Sequence, residues 1–156
     1  MAQRPFTQLE KWAGALLARL SPAEQRKVNQ KIAIALRRSQ AARIAGQRNP
    51  DGTPFEPRRT RKNLRGKKGR IKKRAMFVRL RNNRNLKAKA TPGDISVGFF
   101  GRVARIARVH QYGLRDRPAR GMEDVQYPTR ELLGFTDDDI DLIRDMLLRH
   151  LAGEQL

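Results

Sequence analysis

Apolar residues recur at three- and four-residue intervals in the first fifty positions, and this spacing predicts two helices. The first series runs from Phe6 to Leu20 and forms one amphipathic stripe. Ser21-Pro22-Ala23-Glu24 then has the pattern of a capping box, in which each end side chain accepts from the other's backbone amide. We therefore expect the second helix to run from Pro22 to about Gln47, before the turn-forming residues 49–54. Its predicted apolar side carries Val28, Ile32, Leu36 and Ile44, and its predicted exposed side carries Arg26, Lys27, Lys31, Arg37, Arg38 and Arg43.

The middle of the chain alternates apolar and polar residues in two short runs, 85–91 and 95–100, separated by Pro92-Gly93-Asp94. Alternation on both sides of a turn predicts a β-hairpin. Strands of this length are unstable alone, so we expect helices to pack against them. Residues 75–80 form an apolar island that favours one or two helical turns over a strand.

Two further helices are predicted in the last third. Arginines spaced three apart in residues 102–110 leave an opposite helical side made of Val103, Ile106, Ala107 and His110. Gly113 is expected to end this helix, and residues 127–134 are expected to be extended before a turn. Thr136 then caps a last helix that begins with Asp137–Asp139, acids that suit the positive end of the helix dipole. The whole pattern predicts an α+β fold: two N-terminal helices, a small antiparallel β-sheet, a short helix and a C-terminal helix.

Length and composition indicate the size of the domain and the class of protein. At 156 residues with 38% hydrophobic residues, the chain is long enough for its own core, and we expect residues 1–156 to form a single domain. The absence of cysteine excludes a disulfide framework, a thiol nucleophile and a thiolate metal site. No apolar run is long enough for a signal peptide or a membrane span, so we expect a soluble protein without a membrane partner.

Charge is concentrated in one part of the chain, which has 35 Lys and Arg residues against 15 Asp and Glu residues. Residues 58–93 contain sixteen basic residues and no acidic one, whereas residues 115–156 contain ten acidic residues and six basic ones. Segment 57–74 is interpreted as a flexible, solvated loop, because it is rich in like charges and poor in apolar residues. We call it the basic segment; its cations are Arg58, Arg59, Arg61, Lys62, Arg65, Lys67, Lys68, Arg70, Lys72, Lys73 and Arg74.

The residues give catalysis little support. His110 and His150 are forty positions apart, each within a predicted helix stripe. Successive acids in 137–141 point in different directions around a helix, so they do not form a metal cluster. Gly66-Lys67-Lys68-Gly69 lacks the glycine spacing and the following Ser or Thr of a phosphate-binding loop. We therefore expect no enzyme, no metal and no cofactor, and a hydrolase remains only a distant third hypothesis.

The basic segment leaves two alternatives open. A sequence-independent nucleic-acid-binding protein, of ribosomal or nucleoid type, would use it to neutralise phosphates and release counterions. Interleaved aromatic residues for base stacking are almost absent. The other alternative is a subunit of a ring or sleeve whose positive face lies against DNA or against an acidic protein.

Four features in a fixed order resemble one known family. They are Asn49-Pro50-Asp51-Gly52-Thr53-Pro54-Phe55 after a long helix, a Lys/Arg-rich stretch, His110-Gln111-Tyr112-Gly113 after a short helix, and Arg130-Glu131-Leu132-Leu133-Gly134 before an acidic helix. In this order and spacing they resemble the phage virion morphogenesis, or tail-completion, family of contractile-tailed temperate phages. The resemblance covers roughly residues 20–150.

The resemblance implies a non-enzymatic protein that completes the phage tail at its head-proximal end and prepares or forms the head–tail junction. Related neck and tail-terminator proteins are small α+β subunits that are commonly arranged as rings. The implied partners are therefore further copies of this chain in a ring, such as a hexamer. Tail tube or sheath proteins, head–neck proteins and the DNA backbone in the channel are the other implied partners. The implied location is the virion tail, with the host cytoplasm during assembly. The motif positions expected to act in structure or subunit contact are Asp51, Gly52, His110, Gln111, Tyr112, Gly113, Arg130, Leu133 and Gly134.

Overall fold

The structure, a computed structural model, describes residues 4–59 and 75–154. In these ranges the chain forms, in order, α1 (Arg4–Leu17), α2 (Pro22–Ala45), β1 (Leu86–Ala90), β2 (Ile95–Phe99), α3 (Arg102–Tyr112), β3 (Arg115–Asp116), β4 (Val125–Gln126) and α4 (Asp137–Leu151). β1 pairs with β2, and β3 pairs with β4, in two small antiparallel sheets. The predicted α+β class is therefore confirmed. Residues 60–74 of the basic segment lie outside the described residues.

The described residues divide into two compact units. The first contains residues 4–39, 87–98 and 135–154, and the second contains residues 40–59, 75–86 and 99–134. The boundary passes through α2, whose last turn and a half belongs to the second unit. That residues 1–156 form one domain stays a prediction.

The core of the first unit lies between its helices. The stripe predicted for α2 is confirmed here, since Val28, Ile32 and Leu36 are all buried. They join the buried residues Leu9, Ala13, Ile140, Ile143 and Leu147 from α1 and α4. Burying each of these large aliphatic side chains contributes about 1.5–3 kcal/mol relative to leaving it in water.

The β1–β2 hairpin is stabilised by this unit, as its short strands require. Ile95 and Val97 of β2 pack against the apolar core. The Asn29 side chain of α2, only 2% exposed, donates to the carbonyls of Thr91 and Pro92 in the hairpin turn at 2.9 and 3.0 Å. A buried amide in α2 therefore fixes the turn.

Capping explains where two helices begin. The Thr136 side chain accepts from the Asp139 amide at 3.1 Å, and the Asp139 carboxylate accepts from the Thr136 amide at 3.0 Å, which confirms the predicted cap of α4. At the start of α2, the Ser21 hydroxyl accepts from the Glu24 amide at 3.3 Å, as predicted. The Glu24 carboxylate does not return this bond; it lies 3.3 Å from Nε2 of His150 instead.

Some local expectations differ from the structure. Residues 76–85 form turns rather than a regular helix or a strand. Ile106, expected on the apolar side of α3, is 50% exposed, and Val109 is buried in its place. The β3–β4 ladder was not expected, because two residues per strand are too few to show alternation. Among the described helices, none has the length and apolarity needed to cross a bilayer.

Candidate functional site

Arg130 connects two of the predicted motifs to the chain that enters the basic segment. It is 4% exposed, and its Nε and one terminal nitrogen donate to the carbonyls of Glu56 and Pro57 at 2.7 and 3.1 Å. Its other terminal nitrogen lies 3.3 Å from Nδ1 of His110, and its backbone amide donates to the His110 carbonyl at 2.8 Å. Burial lowers the pKa of Arg130, while Glu56 raises it. Arg130 thus holds the backbone directly before Arg58.

His110 is held in its neutral form. Burial, followed by the positive charges of Arg130 and Arg58, lowers the pKa of His110 to about 4. An imidazole that accepts at Nδ1 from a guanidinium must have an unprotonated nitrogen there, so the hydrogen bond and the low pKa require the same state. The ring makes edge contacts with Phe77 and Tyr127, with centroids 4.8 and 5.0 Å away.

Residues that flank the basic segment on its two sides contact each other. Phe55, before the segment, and Phe77, after it, pack edge-to-face with ring centroids 5.7 Å apart. The Gln47 side chain accepts from the Met76 amide at 2.7 Å and donates to the Met76 carbonyl at 3.0 Å. Phe77 and Gln47 both have a positive φ, 65° and 57°, which is strained for residues with a Cβ. We call Phe55, Phe77, His110, Arg130 and Gln47 the anchor cluster.

Gln111 joins the motif in α3 to the motif before α4. Its side-chain amide donates to the Leu133 carbonyl at 2.9 Å and accepts from the Leu133 amide at 2.9 Å, as a paired strand residue would. At the next position, Gly134 packs directly against the Pro50 ring, leaving no room for a Cβ. This explains why a glycine follows Leu133.

Arg43 and Gln40 belong to the same network, although neither was predicted to do so. The expectation that Arg43 lies on the exposed side of α2 is wrong. Its guanidinium donates to the carbonyls of Glu131 and Leu132, both at 2.9 Å, and to the Gln40 side chain at 2.7 Å. Gln40 is 4% exposed and also accepts from the Gly134 amide at 3.2 Å. These carbonyls lie almost ninety positions along the chain, so helical periodicity gave Arg43 no distinguishing signal.

The remaining motif residues lie at turns and surfaces. Asp51 is in the exposed turn after α2, where hydrogen bonds from the Thr53 hydroxyl and amide, at 2.6 and 2.9 Å, lower its pKa. Gly52 has φ 86° in the same turn, and Gly113 ends α3 in the left-handed conformation, as predicted. Tyr112 is 66% exposed.

The structure therefore gathers only some of the predicted site residues. In the second unit it joins His110, Gln111, Arg130, Leu133 and Gly134 by direct contacts, and it leaves Tyr112 on the surface. Arg58 and Arg59 are exposed next to the anchor cluster. The other predicted cations of the basic segment, Arg61, Lys62, Arg65, Lys67, Lys68, Arg70, Lys72, Lys73 and Arg74, lie outside the described residues.

The chemistry of the anchor cluster is that of a fixed hydrogen-bonded support. The Arg130 side chain and the His110 Nδ1 lone pair are engaged in contacts within the chain. Within residues 4–59 and 75–154, no group of three His, Cys, Asp or Glu side chains is arranged to hold a metal ion. Beside the cluster, Arg58 and Arg59 present positive charge to solvent.

Comparison with known proteins covers nearly the whole chain. Residues 5–152 match the model of the phage virion morphogenesis family. Tail completion protein S of Escherichia phage P2 is 39% identical over 147 residues, which are 94% of this chain and 97% of that protein. No solved structure matches the chain.

Proposed function

Because the chain belongs to the phage virion morphogenesis family, we propose that it is a non-enzymatic tail completion protein that acts in virion assembly. It works at the head-proximal end of the tail, where a ring of its copies prepares or forms the head–tail junction. The observation that carries this proposal is the 39% identity to a tail completion protein, which extends over almost the full length of both chains. The residues matched by the family model, 5–152, include the anchor cluster as well as the helices.

The anchor cluster supports a structural role for the basic segment. Eleven cations lie between Pro57 and Ala75, and the described contacts fix the chain on both sides of them. A cation-rich segment displayed from a fixed point neutralises phosphates without reading base sequence. In the proposed ring it lines the channel that DNA crosses, or contacts an acidic face of a neck or tail protein.

The test is electron microscopy of a lysate from the phage that encodes the chain, with the codon for Trp12 changed to a stop. We expect filled heads beside unattached tails, some of irregular length. Supplying the intact chain from a plasmid should restore joined particles. Normal infectious particles from the stop variant would contradict the proposal.

A second experiment tests the basic segment. Six of its eleven cations are replaced by Gln, and infectious particles are counted. We expect a loss of at least tenfold. The matched control removes the same number of exposed cations from other elements: Arg26, Lys27, Arg38, Arg79, Arg84 and Lys87. Equal yields from both variants would mean that the segment contacts neither DNA nor an assembly partner.

The net charge of +20 favours one competing function, sequence-independent binding of nucleic acid. After nuclease treatment, a protein that forms a ring still has the mass of several chains, whereas a simple nucleic-acid-binding protein has the mass of one chain. For the simple nucleic-acid-binding protein, the logarithm of the binding constant for duplex DNA also falls steeply and linearly with the logarithm of the salt concentration. A single-chain mass combined with steep salt dependence would favour this alternative.

A further inference from the structure

The outward face of α4 is acidic with an apolar end. Its inward side is occupied by Ile140, Ile143 and Leu147. Asp141, Asp145 and Leu148, spaced four and three residues apart, lie along one outward stripe. Leu148 is 54% exposed, and nearby Leu151 is 39% exposed. We call this outward surface of α4 the α4 face. It consists of the exposed leucines Leu148 and Leu151 and the exposed acids Asp137, Asp138, Asp141 and Asp145.

Two arginines on α4 only partly offset these acids. Arg144 lies 3.5 Å from Asp141, and Arg149 lies 3.0 Å from Asp145. All four side chains are about half exposed or more, so these solvent-screened pairs are weak and leave their carboxylates accessible. The face keeps a net negative charge.

The outward face of α3 has the opposite character. Arg105, Arg108 and Tyr112, spaced three and four residues apart, form one exposed stripe beside Arg102 and Ile106. Tyr112 is 66% exposed and Ile106 is 50% exposed. We call these five residues the α3 face.

Acids also lie near the α3 face. Asp116 of β3 pairs with Arg105, whose side chain is nevertheless 76% exposed. Exposed Arg115 and Arg117 flank that acid, and Arg117 pairs with Asp124 at 3.3 Å. These two acids and two arginines balance, so the positive charge of the α3 face is that of its own Arg102, Arg105 and Arg108.

We propose that the α4 face of one copy docks on the α3 face of the next copy, and that this contact links the subunits of the ring. The inference deepens the proposed function and rests on its ring arrangement. Arginine and tyrosine are enriched among residues that dominate binding energy at protein interfaces. Here they stand opposite carboxylates and exposed leucines, so opposite charges and apolar groups are paired in the same contact.

Charge disfavours one kind of symmetric contact. In a two-fold dimer formed through a single helix face, that face would meet its own copy, placing acids against acids on α4 or arginines against arginines on α3. A contact between unlike surfaces avoids this repulsion and leaves one free surface on each side of a pair. Such head-to-tail contacts add further subunits, and they form a ring when the rotation between neighbours closes.

Charge reversal on each face tests the pairing in the full chain. One variant carries Asp141→Lys and Asp145→Lys, and the other carries Arg102→Glu and Arg108→Glu, which leaves the Arg105 pair intact. Mass is measured by sedimentation after nuclease treatment. We expect several chains for the wild type and 17.9 kDa, the mass of one chain, for each variant. The variant with all four reversals should regain the wild-type mass, because the opposed charges are again complementary.

A control separates this effect from net charge and from misfolding. Glu10→Lys with Glu123→Lys changes the charge as much as the α4 variant does, at exposed positions outside both faces, and should keep the wild-type mass. Thermal unfolding followed by circular dichroism identifies any variant that fails to fold. The quadruple variant provides the decisive measurement if a double variant is unstable, since a folded and assembled quadruple variant requires the pairing.

The outcomes separate this inference from the proposed function. If the wild type is assembled and both double variants stay assembled, the inference is wrong and the ring stands. If folded double variants dissociate and the folded quadruple variant does not reassemble, direct pairing of the two faces is wrong. If the wild type itself has the mass of one chain at assembly concentrations, both the ring and the inference are wrong. If the α3 variant loses only affinity for duplex DNA, the α3 face contacts nucleic acid instead.

Discussion

Acidification should destabilise this protein through one histidine. In the folded chain the pKa of His110 is lowered from its ordinary 6.5 to about 4, chiefly by burial and then by Arg130 and Arg58. The unfolded chain therefore takes up this proton first as the pH falls. The contribution of neutral His110 to stability is complete above pH 6.5, decreases as the pH falls to about 4, and is constant below that.

The size of the effect follows from the two pKa values. Each pH unit between them corresponds to about 1.4 kcal/mol, so the full loss is at most about 3–4 kcal/mol. Carboxylates titrate in part of the same range, so wild type must be compared with His110→Gln, which has no imidazole. The variant should be less stable at pH 7, and the difference between the two should shrink by about 2–3 kcal/mol at pH 4.

Urea unfolding at several pH values measures this difference. Circular dichroism is the suitable signal, since Trp12, the single tryptophan, belongs to the first unit and His110 to the second. Titration of the His110 ring protons by NMR gives the pKa directly. Parallel stability curves for wild type and variant from pH 7 to 4, or a His110 pKa near 6.5, would refute the reasoning.

Two further predictions concern the network around the motifs. Arg130→Gln removes the hydrogen bonds to two backbone carbonyls, so the free energy of unfolding should fall by about 2–4 kcal/mol. It also removes a positive charge beside His110, so the pKa of His110 should rise in NMR titration. An unchanged pKa would mean that the charge of Arg130 does not affect His110. Gly134→Ala places a methyl group against the Pro50 ring and should cost about 1–3 kcal/mol in urea unfolding. The matched control is Gly14→Ala in α1, where no atom lies within 4 Å of the new Cβ; its free energy of unfolding should rise by about 0.5–1 kcal/mol. Equal effects of the two alanines would contradict the close contact between Gly134 and Pro50.

Local periodicity predicted most of the fold. The α2 stripe could be recognised because it depends only on four-residue spacing within one helix. The hairpin could be recognised because alternation flanks a Pro-Gly turn, and the cap of α4 because Thr136 precedes three acids. Each of these signals is contained in a single continuous stretch of neighbouring residues.

The parts that could not be predicted depend on distant partners. Arg43 resembles its basic neighbours on α2, and only carbonyls near position 131 distinguish it. The pairing of Gln111 with Leu133 likewise joins two segments 22 residues apart. One signal was present: Gln40 lies four residues from Leu36 and from Ile44, within an otherwise apolar stripe, and a polar residue there indicates a buried hydrogen-bonding partner.

The contact between Phe55 and Phe77 separates the fold from whatever lies between them. Because these rings lie 5.7 Å apart, a longer chain between them adds little to the cost of folding: doubling its length costs only about 0.6 kcal/mol in closure entropy. We therefore expect insertions and deletions between Arg59 and Ala75 to leave the free energy of unfolding nearly unchanged. The tolerance ends at Glu56, Pro57 and Met76, which bond to Arg130 and Gln47, so the length of chain between these contacts can vary while the scaffold stays constant.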